Sequence, residues 1–346
     1  MKPRHLALIL LIDLVWAFNL VAVKLAVADA QPLTAVALRY GIVLVACLPW
    51  LRWQPGRMRV VLVTGLVAGA LFMGLGGLSF ALAYNVSALA IAGQLGVPFS
   101  LLLAVVFYRE QIRWPRITAV ALCFAGVAVM GFDPAIAAES VALWLTVAAS
   151  LAWAAGNLLF RKLAGISVLT IHAWLALISV PVLLVASIVF EPGALAHVAD
   201  LKPATWGWLA YSALGASLLG HGGMSWLFQR YPVSTVSPLT LPTPLLSVMV
   251  GIAVFGTPIT PQMIVGGVLT IIGVGIITLR TAQRRDDDDA QRRDDDDAQR
   301  RDDDDAQRRD DDDAQRRDDD DAQRRDDDRA QKRDDDTVQK RDMINE

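Results

Sequence analysis

The chain has 346 residues, of which 54% are apolar, and its formal net charge is −3. That charge averages two regions, because residues 1–282 contain 15 Lys/Arg and 7 Asp/Glu, whereas residues 283–346 contain 17 and 28. Nearly all apolar residues lie in the first region, which predicts a membrane domain followed by an acidic tail. The cations of the first region lie at the ends of apolar segments, so they indicate orientation in a lipid bilayer and exclude a nucleic-acid partner.

Ten apolar segments of similar length follow one another in the first region. A helix needs about 20 apolar residues to cross the hydrocarbon core. The pattern therefore predicts an all-α membrane protein with ten transmembrane helices. The segments lie near residues 5–27, 32–51, 59–83, 86–108, 113–131, 139–164, 168–190, 204–229, 234–255 and 259–280.

The positive charges between these segments alternate from side to side. Every second connection is basic, while the intervening connections contain one cation, Lys202. By the positive-inside rule, both termini of this multi-pass protein lie in the cytoplasm, and the membrane is a bacterial inner (cell) membrane. The basic connections contain Lys2 and Arg4; Arg52, Arg57 and Arg59; Arg109, Arg113 and Arg116; Arg161 and Lys162; Arg230; and Arg280, Arg284 and Arg285.

The two halves of the membrane domain align with an offset of about 146 to 147 residues. The residues 76–79 (Gly-Gly-Leu-Ser) match 222–225 (Gly-Gly-Met-Ser), and Pro98 matches Pro244. Each half also begins with a tryptophan, an asparagine and then a cation: Trp16, Asn19 and Lys24, and Trp153, Asn157 and Lys162. Because five is odd, a second copy of five helices must enter the membrane from the opposite side.

The sequence thus predicts two inverted five-helix repeats, residues 1–138 and 139–282, and a low-complexity tail, 283–346. Inverted repeats are typical of secondary transporters, whose two halves exchange roles around a central site. Duplication could also simply have built a stable bundle. Glycines at 65, 69, 266, 267, 273 and 275 predict close packing between helices.

Two ionisable residues lie well inside predicted helices, where each needs a partner or a function. Arg39 either faces an anionic carboxylate in a central cavity or is structural, reaching the membrane surface or backbone carbonyls. Asp13 is either a proton-coupling carboxylate or an ordinary residue facing the cytoplasm. Lys24 is close enough to its helix end to reach the membrane surface.

Several polar and aromatic residues are candidates for a transport path. Trp16 and Trp153 are nearer mid-span than interfacial tryptophans, which favours a pocket or a close contact between helices. Asn19 and Asn157 either line the central site or bond across helices.

Segments four and nine are predicted to form walls of the transport path. They contain Gln94, Pro98 and Pro244, and proline frees backbone carbonyls that only protein or a wet cavity can satisfy. His221, in segment eight, either carries a proton or packs as a neutral ring.

Local motifs resemble those of the EamA-type drug/metabolite transporters. They are Trp-Ala-Phe-Asn at 16–19, Leu-Arg-Tyr at 38–40, Tyr-Arg-Glu at 108–110 and the Gly-rich segments five and ten. The residues 153–157 and 229–231, followed by a Ser/Pro-rich segment, resemble the cysteine and O-acetylserine exporter branch. Where that family has an acidic residue after the ninth helix, this chain has Gly-Thr-Pro at 256–258.

The resemblance implies a secondary transporter that exports small, amino-acid-like metabolites by alternating access, with a candidate homodimer as its assembly. Export of drugs or other amphiphilic compounds is an alternative, as is a membrane scaffold or sensor whose tail recruits partners. The sequence contains no zinc-protease, Cys-x-x-Cys, Gly-x-Ser-x-Gly or phosphate-loop motif, so we expect neither an enzyme nor an ATP-driven pump, and no metal or cofactor.

The tail repeats the unit Ala-Gln-Arg-Arg-Asp-Asp-Asp-Asp from Ala282 onward. A period of eight residues fits no helical packing, and the unit offers no apolar surface to bury. This composition predicts a disordered, solvated segment.

Overall fold

The computed structural model describes residues 2–108, 114–228, 230–231 and 236–280. In these ranges the regular secondary structure is helical throughout. The predicted disorder of the tail lies outside the described residues, as do Glu110 and Gln229 of the two family-like motifs.

Ten helical segments follow the ten apolar segments of the sequence closely. Short 3₁₀ or α-helical turns at Leu48–Trp50, Pro134–Ala137, Ala194–Asp200 and Ser237–Thr240 lie between them. The segments are α1 (Pro3–Ala30), α2 (Pro32–Cys47), α3 (Met58–Leu82), α4 (Val86–Phe107), α5 (Trp114–Gly131), α6 (Ser140–Lys162), α7 (Val168–Phe190), α8 (203–228), α9 (Pro242–Phe255) and α10 (Pro261–Arg280).

Eight of these segments are long and apolar enough to cross a membrane: α1 to α7 and α10. The α8 segment is not among them, and α9 is a shorter apolar helix of 14 residues. An all-α, multi-pass membrane protein is therefore confirmed within the described residues. A count of ten crossings remains a prediction.

Three of the helices depart from regular α geometry. The third and eighth helices contain π-helical stretches, Gly65–Leu71 and Tyr211–His221. Their first residues are separated by the same offset that aligns the two halves of the sequence. Such stretches are rare and often occur at functional sites. The fourth helix contains a 3₁₀ turn at Gly93–Leu95.

The backbones of α5 and α10 approach each other closely at two glycines. A Cβ on Gly126 would lie 2.4 Å from the carbonyl oxygen of Gly266, and a Cβ on Gly273 would lie 2.6 Å from that of Ala119. Only glycine allows the backbones to approach so closely. The predicted close packing is also confirmed at 65, 69 and 267, but it is wrong for Gly275, where an added Cβ would meet no atom of another helix within 4 Å.

Acidic residues in the connections stabilise the first turns of neighbouring helices. The Glu191 carboxylate accepts hydrogen bonds from the amides of Leu33 and Thr34, at 2.6 and 3.0 Å, and so caps α2. The Glu139 carboxylate likewise accepts from the amides of Tyr84 and Asn85, just before α4. Anionic groups are favourable at these positions because helix N-termini carry unpaired N–H groups and partial positive charge.

Lys24 has a partner inside the protein. Its Nζ donates to the carbonyl oxygens of Phe80, Ala81 and Ala83 at the end of α3. The expectation that this ammonium only reaches for the membrane surface is therefore corrected. It satisfies carbonyls that have no partner within their own helix.

Candidate functional site

A cavity of about 370 Å³ lies among α1, α2, α3, α4, α6 and α9. This volume is at the lower end of the roughly 300–1,000 Å³ typical of small-molecule sites. Most of its wall is aliphatic or glycine, and four aromatic side chains, Trp16, Phe72, Phe80 and Trp153, contribute to it. Such a wall favours a small, partly apolar ligand.

Arg39 supplies the one charge among the described residues that line this cavity. The side chain is on α2 and 7% exposed, and its Nη2 donates to Ser217 Oγ on α8 at 2.9 Å. No carboxylate of the described residues lies within ion-pairing distance of it. Burial of a charge without a counter-ion costs free energy, and binding of an anion would reduce that cost. The planar guanidinium can donate two parallel hydrogen bonds to such an anion.

The electrostatics of the cavity disfavour a second positive charge. Two like unit charges about 5 Å apart repel by about 3 kcal/mol at an effective dielectric constant of about 20. A cation that rests on an aromatic face gains about 0.5–2 kcal/mol. Repulsion from Arg39 therefore outweighs attraction to the rings, before the cost of removing the second cation from water is counted.

Neutral polar groups occupy other parts of the wall: Gln94, Thr146, Ser150 and Ser247. Gln94 lies in the 3₁₀ turn of α4, and its side-chain amide forms no hydrogen bond with the described residues. Both its carbonyl and its NH₂ group are therefore available to a ligand.

Each of the two tryptophans is held in place by contacts with neighbouring groups. Trp16 Nε1 donates to the carbonyl oxygen of Ala216 at 3.1 Å. The Trp153 ring lies 5.0 Å from Phe72, measured between centroids. His221 lies between them, at 5.3 Å from Trp16 and 5.9 Å from Trp153. The histidine thus supports the aromatic wall from behind and is not itself in it.

Asp13 is fully buried on α1, one helical turn before Trp16. Its Oδ1 accepts a hydrogen bond from Thr243 Oγ1 on α9 at 2.7 Å, and its Oδ2 has no partner among the described residues. On the same helix, Ser247 lines the cavity and donates to the carbonyl oxygen of Thr243 at 2.9 Å. The acid is therefore connected to the cavity through one turn of α9, and its interpretation as a residue facing the cytoplasm is wrong.

Not every residue that the sequence nominated lies in the cavity wall. Trp16, Arg39, Gln94 and Trp153 do. The amides of the two asparagines point to other helices instead, because Asn19 Oδ1 accepts from Ser212 Oγ and Asn157 Nδ2 donates to Ser100 Oγ. Pro98 and Pro244 are buried within their helices, and they and His221 also lie outside the wall.

The sequence analysis did not identify five other residues of the wall: Phe72, Phe80, Thr146, Ser150 and Ser247. It also did not identify Ser217, which is outside the wall and accepts the hydrogen bond of Arg39. One feature of the sequence could have identified two of them. The Gly76-Gly77 pair, which is repeated in the second half of the sequence, lies in the wall on the same helix as Phe72 and Phe80.

A second cavity, of about 460 Å³, lies at the helix ends near Asp29 and Glu191. Both acids already have structural partners: Asp29 accepts from Thr205 Oγ1 at 2.5 Å, and Glu191 caps α2. The acids at this second cavity are therefore already used by contacts that stabilise helix ends, which leaves the central cavity as the candidate site.

A bundle of apolar helices around a cavity that contains one buried charge is the architecture of a membrane transporter. The profile of the EamA-like transporter family matches residues 4–132 and again 140–279. The chain belongs to this family. Since the family consists of transporters, the expectation that this protein is not an enzyme is confirmed.

Two similar proteins are both named "Probable amino-acid metabolite efflux pump". The Escherichia coli (strain K12) protein is 26% identical over 80% of this chain and 95% of its own length. The Salmonella typhimurium protein is 26% identical over 78% and 93%. A solved crystal structure with 16% identity matches at a TM-score of 0.55, over 82% of this chain and 99% of that chain, and shows the fold alone.

Proposed function

We propose that this protein is a secondary transporter that exports small, amino-acid-like metabolites from the cytoplasm across the inner membrane by alternating access. The observation that carries the proposal is the central cavity, in which Arg39 is the single charge among the described lining residues. An amino-acid-like substrate offers a carboxylate, which matches the bidentate geometry of a guanidinium. The names of the Escherichia coli and Salmonella relatives support the same substrate class.

We further propose ten membrane crossings arranged as two inverted repeats, 1–138 and 139–282, with both termini in the cytoplasm. The double match of one family profile supports this arrangement. The contacts of α5 with α10 support it too: at the offset that aligns the halves, Gly126 corresponds to Gly273 and Ala119 to Gly266, so the two close contacts are equivalent. The π-helical stretches in α3 and α8 also correspond.

The proposed driving force is a proton gradient, with Asp13 as the carboxylate that takes up the proton. A buried acid with one unpartnered oxygen is expected to be neutral in one state of a transport cycle and charged in another. Its link through Thr243 and Ser247 supports coupling to the cavity. His221 is retained as a second candidate, and a homodimer remains a prediction.

A second candidate function is export of drugs or other amphiphilic compounds. The observation that favours it is the four aromatic side chains in a largely apolar wall. The two functions differ in the role of Arg39. An amphiphile without a carboxylate has no group that would pair with the positive charge of Arg39.

Transport by reconstituted Arg39 variants tests the proposal. Arg39→Gln removes the charge and is expected to lower uptake of labelled amino-acid-like substrates in proteoliposomes by about tenfold or more, a loss of about 1.4 kcal/mol or more. Arg39→Lys keeps the positive charge but cannot donate two parallel hydrogen bonds to a carboxylate, so we expect a raised KM with transport retained.

Arg59→Gln is the matched control, because Arg59 is exposed at the start of α3. Each variant must first show a wild-type elution profile and unfolding temperature. If a well-folded Arg39→Gln variant transports carboxylates with unchanged rate and affinity, the proposed site is wrong.

A further inference from the structure

We propose, on the basis of the function above, that the central cavity prefers carboxylates whose neighbouring nitrogen carries no charge. Its ligands would then be acylated or otherwise neutral derivatives of amino acids, and simple monocarboxylates, ahead of the parent zwitterions. The juxtaposition that points to this preference is a buried guanidinium beside neutral polar groups, in a wall whose described residues include no acid.

The charges around the cavity leave the ammonium group of a zwitterion without a counter-ion. Of the acids among the described residues, none lines the wall. Asp13 is bonded to Thr243, outside the wall, and the carboxylates of Glu139 and Glu191 are bonded to helix amides at the bundle ends. An ammonium bound beside Arg39 would lose its water and gain repulsion.

The aromatic rings do not replace the missing acid. Trp153 packs against Phe72 at 5.0 Å, and both tryptophans lie within 6 Å of His221, so part of each indole is already covered by another ring. The indole N–H of Trp16 is used by Ala216. These rings offer an apolar surface, which suits an uncharged substituent better than an ammonium.

Gln94 offers the complementary interaction for a neutral nitrogen. Its side-chain amide, which bonds to none of the described residues, can accept from the N–H of an acylated amine and donate to the acyl carbonyl. The hydroxyls of Ser150 and Ser247 donate to backbone carbonyls of Gly93 and Thr243, which leaves their oxygens to accept further bonds. The wall thus provides neutral partners for an amide and one cation for a carboxylate.

Equilibrium binding of four ligands that share an isobutyl group tests this preference. L-Leucine, N-acetyl-L-leucine, 4-methylpentanoate and 3-methylbutylamine are each titrated onto the purified full chain, and the ligand-induced rise in unfolding temperature gives an apparent Kd. We expect N-acetyl-L-leucine and 4-methylpentanoate to bind about tenfold more tightly than leucine, and the amine not to bind.

The outcomes separate this inference from the proposed function. If leucine binds as tightly as its N-acetyl derivative, or more tightly, and Arg39→Gln abolishes binding of both, the preference is wrong and the carboxylate site stands. If none of the carboxylates binds, or if Arg39→Gln leaves their binding unchanged, the proposed substrate class itself is wrong.

A designed acid gives a second, independent measurement. Gln94→Glu adds a carboxylate to the wall, so the affinity for leucine relative to N-acetyl-L-leucine should rise by about tenfold. Gln94→Met, which removes the amide without adding charge, is the matched control. It should instead lower the affinity for N-acetyl-L-leucine. A ratio that is the same in Gln94→Glu and the wild type contradicts the proposal.

Discussion

Asp13 shows how one buried polar atom constrains the interpretation of the whole site. Among the described residues, only Oδ1 of Asp13 accepts a hydrogen bond, and Oδ2 has no partner. A charged carboxylate in this state is unfavourable in a membrane interior, because Oδ2 has lost its water without gaining a donor. Protonation removes that cost, and so the bond to Thr243 joins α1 to α9 differently in the two protonation states. A residue of this kind can convert a pH gradient into a preference for one conformation.

Replacement of Asp13 by asparagine is expected to separate transport from its driving force. Asp13→Asn should retain exchange of substrate across a proteoliposome membrane but lose accumulation driven by a pH gradient, since the amide cannot take up a proton. Asp200→Asn, at an exposed acid outside the helices of the bundle, should behave as wild type. A correctly folded Asp13→Asn protein that still responds fully to the gradient would exclude Asp13 as the proton site.

The sequence predicted some of the residues that line the central cavity, but it did not predict the directions in which their side chains point. Arg39 was recognisable because a charge in an apolar helix is costly, and Trp16 and Trp153 because they are far from the membrane surface. Asn19 and Asn157 were equally prominent, yet they bond to Ser212 and Ser100 on other helices. The direction of a side chain around a helix depends on neighbours whose positions no single sequence fixes.

At the scale of helices, the contact between α5 and α10 allows a controlled test of packing. A methyl group added at Gly273 would meet the Ala119 carbonyl oxygen and Cys123, whereas at Gly275 it would meet nothing within 4 Å. Both glycines lie on the same helix, so the helix-propensity gain of alanine is the same for both.

We therefore expect Gly273→Ala to destabilise the protein by about 1–3 kcal/mol relative to Gly275→Ala, by overpacking. Thermal unfolding in one detergent, followed for both variants and the wild type, measures this difference. Equal unfolding temperatures for the two variants would mean that the helices can separate at no cost.

Helix existence could be predicted because apolar length is a strong signal, and most observed ends lie within a few residues of the predicted ones. The exception is α9, which was predicted from residue 234 and begins at Pro242. The irregular turns could not be predicted. The stretches at 65–71 and 211–221 and the 3₁₀ turn at 93–95 contain mostly small and apolar residues, with no sequence feature that distinguishes them from regular helix. Side chains of a neighbouring helix lie against one of them, since Ile178 and Ser179 of α7 are next to Gly65 and Gly69.

For the whole molecule, the orientation in the membrane is the prediction on which the inverted repeat depends. A reporter enzyme that works only outside the cytoplasm should be inactive when fused after Arg280 and active when inserted in the 191–203 connection. The reason is the distribution of Lys and Arg, which favours the cytoplasmic side for alternate connections. Expression of both fusions is checked by immunoblot, and the opposite pattern of activity would contradict both the topology and the inversion.

The glycine contact between α5 and α10 also determines which parts of the bundle can serve as a fixed frame. Two backbones in direct contact through Gly126 and Gly266 have little room to slide, because the side chains of Thr270 and Met130 lie against the same two glycines. We therefore expect these two helices to move together as a rigid pair. We expect any change of shape that opens the cavity to involve the helices whose backbone hydrogen bonding is irregular, α3, α4 and α8, two of which line the cavity.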